Sequence, residues 1–321
     1  MELADIVAGV DGSDESFAAL HWALQEAVTT GQKVNAVYGW THSWDMGERP
    51  ETDAEWAKIH KLITMELDEW ATKASAGIEF DRDKLTLTSV HAAGSTALLT
   101  LGKNAQQIVV GRRSLNRLAR WFLGSMSDSL VEKSSVPVTI VRVDAVPEVD
   151  EEESIENALS PNGSDPQLVD ELAAESQMLG NTVMPIVVGI DGSPVSQRAL
   201  AFAAEEAQAS GRPLHVLYCW RMKSLAELAD RTHAVPSKEE AEGYAQKFVK
   251  SEVGRAHLDP AIAVHPHAFH INPVKGLLRA SRYANRLIVG SRGLHGLDAM
   301  VLGSVSRQLL DSAHCTVTIV H

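Results

Sequence analysis

The sequence predicts an α/β protein built from two tandem doubly wound domains, each a five-stranded parallel sheet with helices on both faces. Three observations carry that expectation. Apolar runs of strand length alternate with segments of helical periodicity, the order expected of a parallel sheet covered on both sides. Several of these runs end in loops rich in glycine and serine, where the strands of such sheets present their carboxyl ends to ligands. The whole pattern then occurs a second time along the chain.

Taken in order, Asp5–Val10 is apolar and meets Asp11-Gly12-Ser13, a buried strand followed by a turn. Ser13 or Asp14 is placed to cap the next helix. From Glu15 to Thr30, Phe17, Leu20, Leu24 and Val28 recur at helical spacing, with Ala23 and Ala27 beside them. Gly31 ends that helix. Val34–Trp40 is a second buried strand. Glu51–Ala76 is a long helix carrying Trp56, Ile59, Ile63, Leu67 and Trp70. Leu85–Val90 is a third strand, Ser95–Gly102 a short helix and Ile108–Val110 a fourth strand. A second glycine-containing loop follows, then a helix from Ser125 and a last strand, Val136–Val143.

The repeat holds its register across each half. Val7-Ala8-Gly9-Val10-Asp11-Gly12-Ser13 returns as Val187-Val188-Gly189-Ile190-Asp191-Gly192-Ser193, and Ala36-Val37-Tyr38-Gly39-Trp40 as Val216-Leu217-Tyr218-Cys219-Trp220. Leu123-Gly124-Ser125-Met126-Ser127 returns as Leu302-Gly303-Ser304-Val305-Ser306, and Val138-Thr139-Ile140-Val141 as Val317-Thr318-Ile319-Val320. Residues 1–143 and 185–321 are therefore two copies of one domain. The connector between them, 144–184, holds Asp144, Glu148, Asp150, Glu151, Glu152, Glu153, Glu156, Asp165, Asp170, Glu171 and Glu175 and no Lys or Arg. It accounts for most of the formal net charge of −13 and leaves the domains nearly neutral. Glu148–Pro166 reads as a linker; Leu168–Leu179 has the spacing of one amphipathic helix.

The composition, 45% hydrophobic and 22% charged over 321 residues, suits a globular protein of about two domains. The acidic balance argues against nucleic acid or an anionic membrane as partner. Met1-Glu2-Leu3-Ala4-Asp5 does not read as a signal peptide, and no apolar run reaches spanning length. Cys219 and Cys315 have no zinc or disulfide spacing, so the expected setting is reducing and cytoplasmic.

The most informative stretch is Gly290 to Ser306. It follows the buried run Leu287-Ile288-Val289 and leads into a helix over Val305–Ala313. Glycine lets a ligand approach the backbone closely, and a helix start offers unpaired N–H groups and the positive end of a dipole. Together they suggest a polyphosphate cradle. The spacing Gly-x2-Gly-x9-Gly-Ser, here Gly290, Gly293 and Gly303-Ser304, is similar to the ATP-binding motif of the universal stress protein family. The first strand ending in Gly-(Val/Ile)-Asp-Gly-Ser, the Val-Gly-(Ser/Arg)-Arg sequence at the fourth strand, the Leu-Gly-Ser-x-Ser helix opening and the final Val-Thr-Ile-Val strand resemble the same family. The resemblance covers Ile6–Val143 and Pro185–His321.

It implies, position by position, an ATP site in each half; the strongly anionic triphosphate calls for Mg2+ beside it. In the second half Gly189, Ile190 and Asp191 would border adenine and ribose, and the Cys219 backbone would face the adenine edge. Val289 and Gly290 would line the ribose. Ser291, Arg292 and Gly293 would begin the phosphate cradle, and Gly303, Ser304, Val305 and Ser306 would complete it. The first-half counterparts are Gly9, Val10, Asp11, Gly39, Val110, Gly111, Arg112, Arg113, Gly124, Ser125, Met126 and Ser127. The resemblance also implies intramolecular pairing of the domains, with Val136–Val143 near Val317–His321, and further pairing of chains as a homodimer. One departure stands out: Ser114 occupies the place of Gly293. If that position requires positive φ, serine costs about 1 kcal/mol, and a side chain there would also crowd a phosphate; both rank the second site above the first. Arg112, Arg113, Arg117 and Arg120 compensate in charge.

Simpler readings stand beside these. Gly290 and Gly293 also suit a plain strand-to-helix turn, Asp11 and Asp191 also suit helix capping, and Arg292 also suits a solvated surface. His265, His267 and His270 read as a solvated strand face, with a metal site as the alternative. Trp40 and Trp220 read as core or pocket rim. For function, an ATP-responsive stress protein leads. A slow ATPase or autokinase and a scaffold with vestigial sites are the alternatives. There is no P-loop lysine and no Gly-x-Gly-x2-Gly after the first strand. Asp298 and His295, opposite Ala119 and Asn116 in the first copy, would confine any chemistry to the second half.

Overall fold

The computed structural model describes residues 3–41, 50–112, 125–143, 184–221, 237–293 and 302–321, with 125, 126 and 238 described by their backbone only. The chain divides into two compact units, Met1–Asp144 and Ala145–His321. The connector over 144–183, including its expected amphipathic helix, lies outside the described residues.

The first unit runs β1 (Ile6–Gly9), α1 (Asp14–Thr30), β2 (Val34–Trp40), α2 (Asp53–Ala74), β3 (Leu85–His91), α3 (Gly94–Leu101), β4 (Gln107–Arg112), α4 (Ser125–Lys133) and β5 (Val138–Arg142). Its strands lie in the order β3-β2-β1-β4-β5, all neighbours parallel. The second unit runs β6 (Ile186–Gly189), α5 (Pro194–Ser210), β7 (Leu214–Cys219), α6 (Lys238–Arg255), β8 (Val264–Phe269), α7 (Pro273–Ala280), β9 (Arg286–Gly290), α8 (Ser304–Ser312) and β10 (Thr316–Val320). Its order is β8-β7-β6-β9-β10, again parallel throughout. In each unit the chain leaves the first strand to one side and later returns to the other. That reversal opens a crevice at the carboxyl ends of β1 and β4, and of β6 and β9, where doubly wound sheets take ligands.

The elements form for local reasons. Ser13 caps α1 by accepting from Ser16 N at 3.2 Å, and Ser193 caps α5 by accepting from Ser196 N at 3.1 Å. Gly31 and Gly211 close these helices with φ of 78° and 67°, a left-handed conformation that costs a residue with a Cβ roughly 1 kcal/mol. Helices α2 and α6 open with capping boxes, Thr52 with Glu55 and Ser237 with Glu240. Alternation along the strands sends Ile6, Ala8, Val34 and Ala36 to one face, against Leu20, Leu24, Leu67 and Ala71 of α1 and α2. The other face is so tightly covered that a Cβ on Gly9 would meet Leu98, and one on Gly39 would meet the Gly94 backbone, both on α3. The second unit repeats the layering with Val188, Leu214, Val216 and Tyr218 against α5 and α6.

Each unit also buries polar side chains at the start of its fourth strand. In the second, Arg286 is 0% and Glu206 1% exposed, with nitrogen and oxygen 3.1 Å apart. In the first, Gln107 takes the place of the arginine and accepts from Thr139 Oγ1 at 2.6 Å, with Glu26 also buried.

Candidate functional site

In the second unit the strand-end residues converge on one crevice. Ile190 continues β6, its N–H donating to Leu217 O at 2.9 Å. The chain then turns through Asp191 and Gly192, whose φ of 85° and closeness to Phe248 leave no room for a side chain. Asp191 Oδ1 accepts from Ser193 N at 3.0 Å, which steadies the residue that caps α5. Asp191 therefore supports the cap while Ser193 makes it. Asp11 does the same in the first unit, accepting from Ser13 N at 3.1 Å and from the Ser13 hydroxyl.

At the end of β9, Ser291 N–H donates to Val320 O at 2.6 Å, and Ser291 O accepts from Gly303 N at 2.8 Å. The Ser306 hydroxyl, on the first turn of α8, donates to Gly290 O at 2.7 Å. These two bonds hold the N-terminus of α8 against the end of β9 across the loop between them. Gly290 lies against Val195 of α5, where a Cβ would come within 2.9 Å of Val195 Cγ1. Gly293 lies against Asp191, whose Oδ2 occupies the space a Cβ would need. So Asp191, Gly290, Ser291, Gly293, Gly303 and Ser306 come together. The cap of α8, Gly303, supplies no side-chain acceptor, unlike the capping residues of α1, α2, α5, α6 and α7. The first N–H groups of α8, on Ser304, Val305 and Ser306, therefore gain no cap from within the helix start.

One expectation is corrected here. Gly293 is not in the left-handed region; among the described residues the glycines with positive φ are Gly12, Gly31, Gly77, Gly192 and Gly211. What excludes a side chain at 293 is the Asp191 carboxylate, not backbone strain. Position 114, its first-copy counterpart, lies outside the described residues, as do Arg113, Gly124, Asp298 and His295. Of the remaining first-unit residues, Gly9, Val10, Asp11, Val110, Gly111 and Arg112 sit at the ends of β1 and β4. Gly111 is pressed onto the Glu15 carbonyl. Ser125 and Met126 open α4, and Ser127 is buried in its first turn.

Gly39 and Cys219 are one strand removed, at the ends of β2 and β7. The Cys219 side chain turns to the far face, toward Gly276. Burial pushes its thiol up to about 12, so it is no nucleophile at neutral pH. Tyr218 is likewise pushed up to about 12, first by burial and then by the Asp191 charge. Tyr38 is raised by burial, Glu66 and Asp11. The Asp–Tyr arrangement thus recurs in both units. Arg292 and Arg198 approach His321, whose imidazole is held down to about 4, first by burial and then by these two charges.

The histidines assemble differently from the sequence pattern. Register sets His215 beside His265 and Leu217 beside His267. His215 Nδ1 and His267 Nε2 are 3.1 Å apart, and His215 stacks on both His265 and His267. Among the described residues no group of three or more His, Cys, Asp or Glu is arranged to hold a metal ion. His270 leaves the set and stacks on Trp220, as His91 stacks on Trp40. His91 and His270 keep the offset of the repeat, a signal present in the sequence but hidden by the His-x-His spacing.

The universal stress protein family model matches residues 3–142 and 182–321. A universal stress protein of Mycolicibacterium smegmatis is 29% identical over 321 residues, spanning 98% of this chain and 96% of its own. One of Mycobacterium tuberculosis is 29% identical over 320 residues, with the same coverage of 98% and 96%. Among solved structures, a universal stress protein from Archaeoglobus fulgidus matches with a TM-score of 0.60 at 18% identity, covering 98% of this chain and 97% of that one. At that identity the likeness is one of fold.

Proposed function

The chain belongs to the universal stress protein family, in tandem form, and from that premise we propose that each half binds an adenine nucleotide, ATP with Mg2+. ATP acts as a conformational or regulatory ligand in a stress response, held more tightly by the second half. One observation carries the reading. The glycines and serines of the family's ATP-binding spacing meet at the uncapped start of α8, tied to the end of β9 by Gly303 N–H to Ser291 O and Ser306 Oγ to Gly290 O. A helix start with unclaimed N–H groups suits a phosphate.

The residues present fit the rest of the ligand. Asp191 is a carboxylate at the crevice, beside a glycine with no side chain to screen it. When bound, Mg2+ would screen the triphosphate charge. The Cys219 thiol and the Tyr218 phenol are both protonated at neutral pH, so neither acts as a nucleophile there. The family's pairing into dimers is part of the same proposal.

The test is to titrate ATP against Gly303→Asp and Gly124→Asp variants separately. A carboxylate at the helix start repels phosphate, so each variant should silence one site. The larger loss is expected from Gly303→Asp; equal losses would overturn the ranking of the two halves.

A further inference from the structure

The edge strands β3 and β8 occupy equivalent places in the repeat, and among the described residues each is bonded to a single neighbour, β2 or β7. A strand directs its N–H and C=O groups alternately to its two sides, and in a parallel ladder a residue bonds to the two neighbours of its register partner. Lys33 O and Val37 O accept from Ile6 N and Val10 N on the β1 side, so Val34, Ala36 and Tyr38 face β3. Their register partners, Leu85, Leu87 and Ser89, therefore turn their N–H and C=O groups outward. In the second unit Pro213 O and Leu217 O accept from Ile186 N and Ile190 N, and Leu214 N donates to Ala263 O. The outward residues of β8 are then Val264, Pro266 and Ala268, the register partners of Leu214, Val216 and Tyr218.

An open edge is a template for another strand, and folded proteins blunt it with proline, charge or cover. β8 is blunted, because Pro266 has no N–H to present at the centre of its outward row. Its counterpart in the repeat is Leu87, paired with Ala36 as Pro266 is with Val216. β3, Leu85-Thr86-Leu87-Thr88-Ser89-Val90-His91, holds no proline and no Asp, Glu, Lys or Arg. Its outward row of donors and acceptors is unbroken. One copy of the domain closes this edge and the other leaves it open. Were both open, copies of the chain could add end to end without limit; with one closed, association about a two-fold axis stops at a pair.

We propose that β3 pairs antiparallel, about a two-fold axis, with β3 of a second copy of this chain. The inference rests on the pairing of chains proposed above and names its surface. The edge is self-complementary. With Leu87 opposite its own copy, Leu85 meets Ser89, and these three residues exchange N–H and C=O bonds. Thr86 then meets Thr88 on one face, a favourable cross-strand pair. The charged lead-in Asp81-Arg82-Asp83-Lys84 of the two copies falls at opposite ends of the pair. The net charge of −13 sets copies against each other, yet none of it sits on β3. At about 0.15 M salt, exposed charges more than about 8 Å apart are largely screened. A strand of seven residues added edge to edge buries less than the roughly 1,200 Å² of a stable interface, so the dimer should exchange with free chain.

The test uses the full chain at about 0.15 M salt, sedimented over a range of concentrations. A dimer is expected, and hydrogen exchange of the β3 amides should slow as it forms. Ser89→Pro removes one outward N–H from each copy and should weaken the dimer about thirtyfold, the loss of two hydrogen bonds. Thr86→Lys leaves every backbone bond in place and sets two lysines about 7–8 Å apart on one face, so it should weaken the dimer several-fold. Thr86 is exposed, so this variant reports on the edge even where proline at 89 disturbs the fold. If the dimer survives Thr86→Lys and a folded Ser89→Pro unchanged, chains pair elsewhere and the β3 edge is overturned. If the unsubstituted chain stays monomeric at millimolar concentration, the pairing of chains fails and the edge with it. If the β3 amides are protected equally at every concentration, another segment of the chain already covers the edge, which also overturns the proposal.

Discussion

Replacing Gly293 with Ser gives the second half the residue type found at position 114. Backbone strain is not the cost, because Gly293 is outside the left-handed region. The new Cβ would fall on Asp191 Oδ2, so the carboxylate must swing aside. Asp191 Oδ1 holds the Ser193 N–H at 3.0 Å, and Ser193 Oγ caps α5 at 3.1 Å from Ser196 N. A hydrogen bond to a charged group contributes about 1.5–3 kcal/mol and an ordinary one about 1 kcal/mol. Asp191 is only half-buried, so the expected loss is at the lower end, about 1 kcal/mol of folding stability. The same displacement moves the carboxylate from its place in the crevice, and ATP affinity of the second site should fall about tenfold. Urea denaturation and ATP titration of Gly293→Ser and Gly293→Ala read both quantities. Unchanged midpoint and unchanged affinity in both variants would refute the view that Asp191 sets the requirement for glycine.

Three further outcomes follow from the buried groups. Arg286→Met strands the Glu206 carboxylate and should cost about 3–5 kcal/mol, whereas adding Glu206→Leu should restore most of it, as read by denaturant midpoints. His215 is held down to about 3, first by burial and then by His267 and His265. The unfolded chain takes up that proton near an ordinary imidazole value of about 6.5. The unfolded state therefore binds more protons in between, and stability should fall by up to about 1.4 kcal/mol per unit as pH drops from about 6.5 toward 3. His215→Leu should flatten that fall; an unchanged pH profile would contradict it. The Cys219 thiol, raised to about 12, should resist alkylation at neutral pH in the folded protein and react on denaturation.

Much of this was legible in the sequence for reasons that are local. Gly31 and Gly211 announce helix ends because the left-handed cap favours glycine. The apolar runs announce the inner strands because a sheet covered on both faces buries nearly all of their residues, as in β1 and β9. Ser13 and Ser193 were legible as caps, while the Asp residues before them carried two readings that one geometry satisfies together. Other features depend on which strands pair. His215 joins His265 and His267 only because β7 and β8 align residue 215 with 265. The reason for Gly293 is not legible in the sequence, because it lies in a side chain about one hundred residues earlier, Asp191, and not in its own backbone. The Trp–His stacks were written in the repeat, whose offset His91 and His270 keep, but the His-x-His spacing drew attention away from them.

The central claim is that both halves hold an adenine nucleotide, unequally. Isothermal titration of ATP with Mg2+ into nucleotide-free protein tests it most directly. The predicted isotherm has two sites per chain, the tighter one lost in Gly303→Asp and the weaker one retained. No heat of binding at millimolar ATP, with no nucleotide released when the freshly purified protein is denatured, would contradict it.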